Sequence, residues 1–195
     1  MNDAQPNPES LDAQSILNAA LDLAQQQGNW YDLSLVDIAV HCDTSISEIY
    51  KHFADTNAIA DFWFSQALET MLSADRYEII SLSFAARLDH IIWRWFEALA
   101  PYHAVTSQML KAKLHPPHMH HWIPMIFDLS RLVQLWLDMA ELNAGGRRRQ
   151  IQEIALTGIF LVTLSAWCRD QSPQQAQAHS KLLRMLEKAE RFGQF

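Results

Sequence analysis

Four histidines crowd residues 115–121 of the 195-residue chain, and their spacing is the first pattern that suggests chemistry. His118 and His121 stand three residues apart, so a helix places both imidazoles on one face, where they can bind zinc or nickel. His115 and His120 belong to the same cluster, but no carboxylate or cysteine lies nearby to complete a set of ligands. Pro116-Pro117 makes this stretch a helix entrance. The sequence therefore favours solvated or capping histidines and predicts no metal and no cofactor.

The sequence contains no recognisable catalytic motif. There is no nucleophile elbow, phosphate loop, pair of catalytic carboxylates or Cys/His pairing at diagnostic spacing. The two cysteines, Cys42 and Cys168, stand far apart and form no CxxC motif, which indicates a reduced, cytoplasmic setting. Residues 1–14 are polar and acidic, unlike a signal peptide, and the apolar run at 154–167 is too short for a bilayer span. We therefore predict a cytoplasmic protein that is not an enzyme.

Bulky Trp and Phe side chains recur from residue 93 to residue 167, in the part of the chain that follows the first four predicted helices. They can form an ordinary core, or they can line a pocket for a flat or hydrophobic ligand, since ligand sites are mostly apolar with a few polar anchors. The sequence leaves both interpretations open. The predicted ligand-binding residues are His90, Arg94, Tyr102, His103, Trp122, Arg131 and Trp136.

Two short helical patterns joined by a tight polar turn occupy residues 33–53. Ser34 can cap the first helix with Asp37 closing a capping box, and Ser45 can cap the second with Glu48 as its reciprocal partner. The joint Cys42-Asp43-Thr44 has the length that a helix-turn-helix allows. The expected buried faces comprise Leu35, Ile38 and Ala39 in the first helix and Ile46, Ile49, Tyr50 and Phe53 in the second.

The most specific pattern in the chain is Ile49-Tyr50-Lys51-His52-Phe53, followed a few residues later by Ala58-Ile59. Upstream of it stand Gly28 and the run Leu35-x-x-Ile38-Ala39, preceded by the apolar pattern of residues 16–23. On these residues, positions 16–72 resemble the N-terminal module of TetR-type transcriptional regulators. The resemblance implies an all-α, TetR-like homodimer with a DNA-reading N-terminal domain and a ligand-sensing C-terminal domain.

The same resemblance implies DNA contacts on and around the second helix of the pair. Hydroxyl-bearing side chains there can contact phosphates. Glu48 can accept a hydrogen bond from a cytosine amino group, although its role as capping partner of Ser45 is favoured. The predicted DNA-binding residues are Ser34, Thr44, Ser45, Ser47, Glu48, Tyr50, Lys51 and Thr56.

The charge distribution is unusual for a DNA-binding domain. The whole chain carries −7 at pH 7, but residues 1–70 contain eleven Asp and Glu residues with Lys51 as the only cation, a net charge of −10. Residues 71–195 contain fourteen Lys and Arg against eleven acids, a net charge of +3. Contacts of Lys and Arg with phosphates supply most non-specific DNA affinity, and one lysine cannot supply it. This pattern favours an alternative in which the same fold binds lipid or a protein partner and no DNA.

Short motifs in the C-terminal half carry a second resemblance. They are Leu114-x-Pro116-Pro117-His118, Leu132 with Trp136, Arg148-Arg149, and Asp170-Gln171-Ser172-Pro173. These motifs are similar to those of the lipid-binding accessory proteins of ubiquinone biosynthesis, a branch of the same fold. That resemblance implies the loss of DNA binding and an isoprenoid-like lipid in the C-terminal domain. Our first prediction is nevertheless a TetR-type regulator, a DNA-binding dimer controlled by a small hydrophobic ligand, with the accessory type as the alternative.

Helical patterns account for the chain after residues 1–10, which form a predicted disordered lead-in. The scarcity of glycine and proline, 5 and 7 residues, favours long helices. We predict about nine helices, with a three-helix N-terminal domain at 11–55 and a ligand-binding and dimerisation domain at 56–195. The predicted segments are 11–27 (ended by Gly28), the two helices of 33–53, one from about 56, 77–99, 102–113, 118–142 (ended by Gly145-Gly146), 147–169 and 172–192.

Two apolar stripes near the C-terminus predict the dimer interface. Apolar residues of the segment 147–169 recur at three- and four-residue spacing, and a second stripe, backed by cations, follows in the last helix. Two stripes on consecutive antiparallel helices leave apolar surface that needs a partner, although the last helix has docking on a membrane surface as a rival use. Arg147-Arg148-Arg149 are expected to be solvated unless an acidic partner engages them. The predicted dimer contacts are Ile151, Ile154, Gly158, Leu161, Leu183 and Leu186.

Overall fold

The computed structural model describes residues 11–113, 119–142 and 145–193, without the side chains of residues 76, 112–113 and 119–128. Over these residues the chain forms nine α-helices of seven residues or more, a one-turn helix and two short 3₁₀ segments. The predicted all-α fold with about nine helices is confirmed, whereas the predicted lead-in at 1–10 lies outside the described residues. The helices are α1 (Ala13–Gln27), α2 (Leu35–His41), α3 (Ile46–His52), α4 (Thr56–Leu72), α5 (Arg76–Ile79), α6 (Phe84–Leu99), α7 (His103–Lys113), α8 (Met119–Met139), α9 (Gly146–Trp167) and α10 (Ala176–Arg191).

The chain divides into two compact units, which we call the head (Met1–Ser65) and the body (Gln66–Phe195). The division falls within α4, whereas the sequence places the domain boundary at the start of that helix. In the head, Asp12 caps α1 by accepting a hydrogen bond from the Ser15 N–H at 2.7 Å. Gly28 ends the same helix with a left-handed φ of 71°, a conformation that favours glycine. The predicted end of the first helix is therefore confirmed.

The segment predicted as one helix at 77–99 is interrupted by residues 80–83. Ser83 caps α6, and Glu190 of α10 accepts a hydrogen bond from the Phe84 N–H at 3.0 Å. A hydroxyl and a carboxylate at a helix N-terminus satisfy free N–H groups and interact favourably with the helix dipole, so a new helix starts here. The apolar period places Ile80 and Phe84 in the core, but the interruption leaves both exposed.

The end of α8 is formed by residues other than the expected glycines. Glu141 takes a left-handed φ of 59°, and the Leu142 N–H donates back to the Leu137 carbonyl at 2.9 Å. This arrangement closes the helix as a Schellman cap. Gly145 instead lies at the N-cap of α9. The prediction that Gly145-Gly146 ends α8 is therefore wrong, because Glu141 closes the helix first.

Arg149 fastens the start of α9 to the end of α8. Its guanidinium donates to the Leu142 carbonyl at 3.0 Å and pairs with Asp138 at 2.8 Å and with Glu153 at 3.3 Å. A planar guanidinium offers five donors in a fixed fork and suits several acceptors at once. The expectation that this arginine is solvated is therefore wrong, since its partners lie within the body itself.

Aromatic rings fill the centre of the body. The ring centroid of Phe96 lies 5.8 Å from that of Phe160 and 5.5 Å from that of Trp167. Trp136 lies 4.8 Å from Phe160, and its indole N–H donates to the sulfur of Met71 at 2.9 Å. Rings at these separations make favourable aromatic contacts as well as burying apolar area. The bulky residues in this part of the sequence therefore form a packed core.

The last helix, α10, uses its apolar face within its own subunit. Leu182, Leu186 and Ala189 are buried where α10 packs against α6 and α9. His179 adds a polar contact between α10 and α6, with its Nε2 3.0 Å from the carboxylate of Asp89. An apolar face that the protein already covers is not available to a membrane surface, so the rival role of this stripe is wrong. Among the described helices, none combines the length and the apolar character needed to cross a bilayer.

Asp170 holds the turn between α9 and α10. Its buried carboxylate accepts hydrogen bonds from the Ser172 N–H at 2.8 Å and from the Ala178 N–H at 2.7 Å. Burial raises the pKa of this carboxyl, but the hydrogen bonds from Ser172 and Ala178 outweigh burial and hold the pKa below its ordinary value. Because the folded pKa lies below the unfolded value of about 3.9, the stabilisation is complete above that pH and is lost as the pH falls through the folded pKa.

Asp170→Asn is expected to lower the free energy of unfolding by about 1–3 kcal/mol at neutral pH, because the amide cannot accept all of these hydrogen bonds. The difference in Tm between wild type and variant should shrink below about pH 4, where the unfolded wild-type chain begins to bind a proton at Asp170 that the folded carboxylate still resists. Thermal unfolding followed across this range measures the difference, with Glu187→Gln, which removes an exposed carboxylate from α10, as the control. A difference that stays constant down to about pH 3 would contradict this role of Asp170.

Candidate nucleic-acid interface

Two seven-residue helices, α2 and α3, form the helix-turn-helix of the head. Ser34 and Asp37 make the predicted capping box, since the Asp37 N–H donates to the Ser34 hydroxyl at 3.2 Å and the Ser34 N–H donates to the Asp37 carboxylate at 2.9 Å. In the turn, Asp43 adopts a φ of 49°, and the Thr44 N–H donates to the Ala39 carbonyl at 2.9 Å. These hydrogen bonds close the turn, and the helix-turn-helix predicted for residues 33–53 is confirmed.

Only two of the four apolar side chains expected in the buried face of α3 lie in the core. Ile49 is fully buried, and Phe53 packs with its ring centroid 5.6 Å from that of Phe62. Ile46 and Tyr50, one turn apart, are 48% and 63% exposed. The prediction that both are buried is wrong, because so short a helix rests on a narrow strip along Ile49 and Phe53.

The predicted DNA-binding residues lie in α3, at the start of α2 and in the flanking turns. Thr44 in the turn and Thr56 at the start of α4 are half-buried. The Ser45 hydroxyl accepts a hydrogen bond from the Glu48 N–H at 3.3 Å, which leaves its own O–H free to donate. The exposed members are Ser34, Ser45, Ser47, Glu48, Tyr50 and Lys51. Their side chains are accessible to a nucleic acid, and their role stays a prediction.

Carboxylates dominate the charge of the surface formed by α2 and α3. Lys51 pairs with Glu48, with its Nζ 2.6 Å from the Glu48 Oε1. Because Lys51 engages this carboxylate, Glu48 does not close the second capping box expected with Ser45. On α2, the Ser34 hydroxyl and N–H hold the pKa of Asp37 below its ordinary value, so that carboxylate also stays charged. Within the described part of the head, no lysine or arginine is therefore left unpaired for a phosphate.

The predicted ligand-binding residues do not gather around one described cavity. Arg94 donates to the Thr70 carbonyl at 3.3 Å and to the Ser73 hydroxyl at 3.1 Å, at the end of α4. The Nε2 of His103 lies 2.7 Å from the Trp167 carbonyl oxygen. These two side chains therefore hold the body together. Of the others, Trp136 is a core residue, Arg131 is exposed, His90 and Tyr102 are half-buried, and Trp122 lies outside the described side chains.

Several buried polar atoms of the body lack a hydrogen-bond partner among the described residues. They include the indole Nε1 of Trp167, the amide Oε1 of Gln152 and the Nε2 of His90. Leaving a buried polar group unsatisfied costs about 1–3 kcal/mol, so each atom is a candidate anchor for a bound molecule. Sequence reasoning missed Gln152, because nothing in the sequence separates this buried glutamine from Gln150, which is exposed two residues earlier in the same helix.

An exposed apolar stripe runs along α9. Ile154 is 74% exposed and Ile151 is 52% exposed, and Leu161 continues the stripe. Gly158 lies between Ile154 and Leu161, and beyond the local backbone of α9 a β-carbon built on it would meet no atom within 4 Å. Two depressions of about 280 and 340 Å³ lie beside the stripe, between α9 and α10. Leu183 is half-buried, whereas Leu186 packs in the core, so including Leu186 among the dimer contacts is wrong.

The histidine cluster at 115–121 lies outside the described side chains. Among the side chains that are described, no group of three or more His, Cys, Asp or Glu is close enough to hold a metal ion. The absence of a metal and of a cofactor stays a prediction.

Known structures resemble the chain over most of its length. A TetR transcriptional regulator from Nitrosomonas europaea ATCC 19718 shares 31% sequence identity, with a TM-score of 0.80, over 91% of this chain and 97% of that chain. A TetR transcriptional regulator from Rhodococcus sp. RHA1 shares 16% identity, with a TM-score of 0.63, over 89% of this chain and 92% of its own, which shows the fold alone. No protein-family model and no curated protein matches the chain. The first similarity extends through both the head and the body.

Proposed function

Because the chain belongs to the TetR family of transcriptional regulators, we propose that it is a dimeric DNA-binding regulator whose body responds to a small hydrophobic ligand. The observation that carries this proposal is the 31% identity to a TetR regulator over 91% of the chain. The accessible outer face of α3 supports DNA as a partner, and the exposed stripe of α9 supports a two-fold dimer. A role on DNA also agrees with the predicted cytoplasmic location.

In this proposal α3 is the recognition helix. The recognition helices of a helix-turn-helix dimer lie in successive major grooves, with half-sites one helical turn or a multiple of it apart. Ser47 and Tyr50 are exposed on α3 as hydrogen-bonding groups, and Lys51 reaches a phosphate when it leaves Glu48. Since an exposed ion pair contributes at most about 1 kcal/mol, this exchange costs little. With one lysine in each head, most of the affinity must come from contacts that release no counterions.

The proposal is tested by a salt titration of binding to DNA from upstream of the coding sequence. Each neutralised phosphate contributes about −0.9 to the slope of log K against log salt, so a dimer using one lysine per head gives a slope of about −2. A protein that makes 6–10 phosphate contacts gives about −5 to −9. Absence of binding to any fragment at low salt would end the DNA-binding proposal.

Glu48→Gln is expected to strengthen DNA binding. The substitution removes the carboxylate that pairs with Lys51 at 2.6 Å, and one negative charge from each head. Since this exposed ion pair is worth at most about 1 kcal/mol, its removal should raise the affinity by up to about fivefold per head. The salt slope should stay near about −2, because Lys51 neutralises one phosphate per head in both proteins. Fluorescence anisotropy over a series of salt concentrations measures both quantities.

Asp43→Asn is the matched control for Glu48→Gln. It removes the same charge from the turn, where asparagine tolerates the φ of 49°, and it leaves the Lys51 pair intact. Equal gains in the two variants would mean that net charge, and not the release of Lys51, limits binding. Weaker binding by Glu48→Gln would instead assign Glu48 to a base contact, such as a cytosine amino group.

The proposal also includes control of DNA binding by a ligand that binds in the body. It is supported by the unpaired buried atoms of Trp167, Gln152 and His90, since a ligand site needs a few polar groups in an apolar surround. A panel of hydrophobic acids, ketones and phenols is screened for compounds that raise the Tm of the protein and change its affinity for DNA. A compound that raises the Tm without changing DNA affinity would count as a ligand but not as an effector.

A second candidate function is a member of the same fold that binds lipid or protein and no DNA. The −10 charge of residues 1–70 is the observation that favours it. The compared structures are transcriptional regulators, and the resemblance to the ubiquinone accessory proteins stays unconfirmed. Native mass spectrometry after gentle purification separates the two candidates. Retained lipid together with no DNA affinity favours the second, whereas an empty body and tight DNA binding exclude it.

A further inference from the structure

Ile46, the first residue of α3, presents a large apolar side chain that is 48% exposed. One exposed isoleucine is common on a protein surface. This one, however, stands at the N-terminal end of the recognition helix, where helix-turn-helix proteins contact base edges. Tyr50, one turn further along the same face, is 63% exposed. The outer face of α3 therefore begins with an aliphatic group where a base-reading donor or acceptor is usual.

The chemistry of the major groove narrows what such a group can recognise. Guanine, cytosine and adenine present hydrogen-bond donors and acceptors there, and thymine adds a C5-methyl group. An isoleucine side chain has no polar atom that could hydrogen-bond to guanine, cytosine or adenine. Its methyl groups can instead make an apolar contact with the C5-methyl group of thymine. Lys51 is the only lysine or arginine of residues 1–70, and the proposed function assigns it to a phosphate, so α3 has no second cation to recognise a guanine.

We propose that Ile46 contacts the C5-methyl group of a thymine, so that each operator half-site requires a T·A pair at one fixed position. This inference rests on the proposed DNA-binding function. Burying one methyl-sized group raises affinity about fourfold, and a two-fold dimer makes the contact twice, which gives about sixteenfold. Apolar burial releases no counterions. The contact therefore gives a protein whose residues 1–70 carry a net charge of −10 a source of DNA affinity that salt does not weaken.

The experiment removes the methyl group without changing the base pair. The full-length protein selects its site from a randomised pool of DNA duplexes, and each thymine of the selected duplex is then replaced by uracil. Uracil pairs as thymine does and lacks only the C5-methyl group. Affinities are measured by fluorescence anisotropy at one salt concentration for wild type, Ile46→Ala and Ile46→Val. Val40→Ala, which trims another exposed aliphatic side chain on α2, is the matched control.

At one symmetric pair of positions, uracil is expected to weaken wild-type binding about sixteenfold. Ile46→Val keeps a branched apolar group and should show nearly the same loss. For Ile46→Ala the replacement should be neutral, because the side chain that buries the methyl group is gone. Val40→Ala should behave as wild type. This cycle isolates the contact between one side chain and one methyl group.

Two results would overturn the inference, and they have different meanings. If the protein binds DNA but no uracil replacement weakens binding more than about twofold, or the loss persists in Ile46→Ala, Ile46 does not contact a thymine while the regulator proposal stands. If no duplex is selected and no DNA is bound at low salt, the DNA-binding function and this inference fail together. The exposed face of α3 is then a surface for another class of partner.

Discussion

Gly158→Arg is expected to convert the protein into a monomer that no longer binds DNA tightly. Gly158 lies in the exposed stripe of α9, and beyond the local backbone of that helix a β-carbon built there meets no atom of its own subunit within 4 Å. An arginine therefore has room in the folded subunit and none in a close contact with the same helix of a partner. A stable interface buries about 1,200–2,000 Å², and a guanidinium at its centre leaves an uncompensated buried charge.

The loss of DNA binding follows from the loss of the dimer. Two heads on one two-fold assembly bind two half-sites at once, and linking two binding modules raises affinity about 10²–10⁴-fold. We expect Gly158→Arg to lose a factor in that range, because each head then binds alone. Sedimentation equilibrium measures the oligomeric state, fluorescence anisotropy the DNA affinity, and circular dichroism whether the subunit remains folded.

Gly158→Ala separates subunit stability from dimerisation. Alanine inside a helix is about 1 kcal/mol more favourable than glycine, and its methyl group has room in the subunit. The folded subunit should therefore become more stable while the dimer becomes weaker. Ala104→Arg, which places the same charge at an exposed position of α7, should remain a dimer. A Gly158→Arg protein that still sediments as a dimer would place the interface elsewhere on the body.

The helix ends of the head could be predicted from the sequence because local side chains determine them. Ser34 and Asp37 bond to each other within the first turn of α2, and Gly28 takes its left-handed φ readily because it has no β-carbon. The spacing of apolar residues that correctly predicted α3 also predicted, wrongly, that Ile46 and Tyr50 are buried. A period of 3.6 shows that residues share a face, but not how much of that face the neighbouring helices cover.

The errors in the body have long-range causes. The start of α6 depends on Glu190, whose carboxylate accepts a hydrogen bond from the Phe84 N–H. These two residues are 106 positions apart in the sequence. Leu186 belongs to the core because α10 packs against α6 and α9, and no pattern within the last helix separates that use from a dimer contact. Tertiary partners of this kind determine burial, and a single sequence does not reveal them.

An experiment on Trp136 can separate the two roles that the sequence leaves open for the aromatic residues, packing in a core and lining a ligand pocket. The side chain is fully buried, with its indole N–H 2.9 Å from the sulfur of Met71 and its ring 4.8 Å from that of Phe160. Truncating a residue that lines an open ligand pocket removes few contacts and leaves the empty protein almost as stable as before. Truncating a packed core residue forfeits its contacts and leaves a cavity.

Trp136→Ala is therefore expected to lower the free energy of unfolding by about 3–5 kcal/mol, a large part of the about 5–15 kcal/mol typical of a domain. Urea unfolding without ligand measures this loss, and Arg131→Ala, at an exposed position on the same helix, should stay within about 0.5 kcal/mol of wild type. Added indole should raise the Tm of Trp136→Ala and not of wild type, because it refills the cavity. If Trp136→Ala were as stable as wild type and indole did not change its Tm, the result would indicate that Trp136 lines an open ligand pocket.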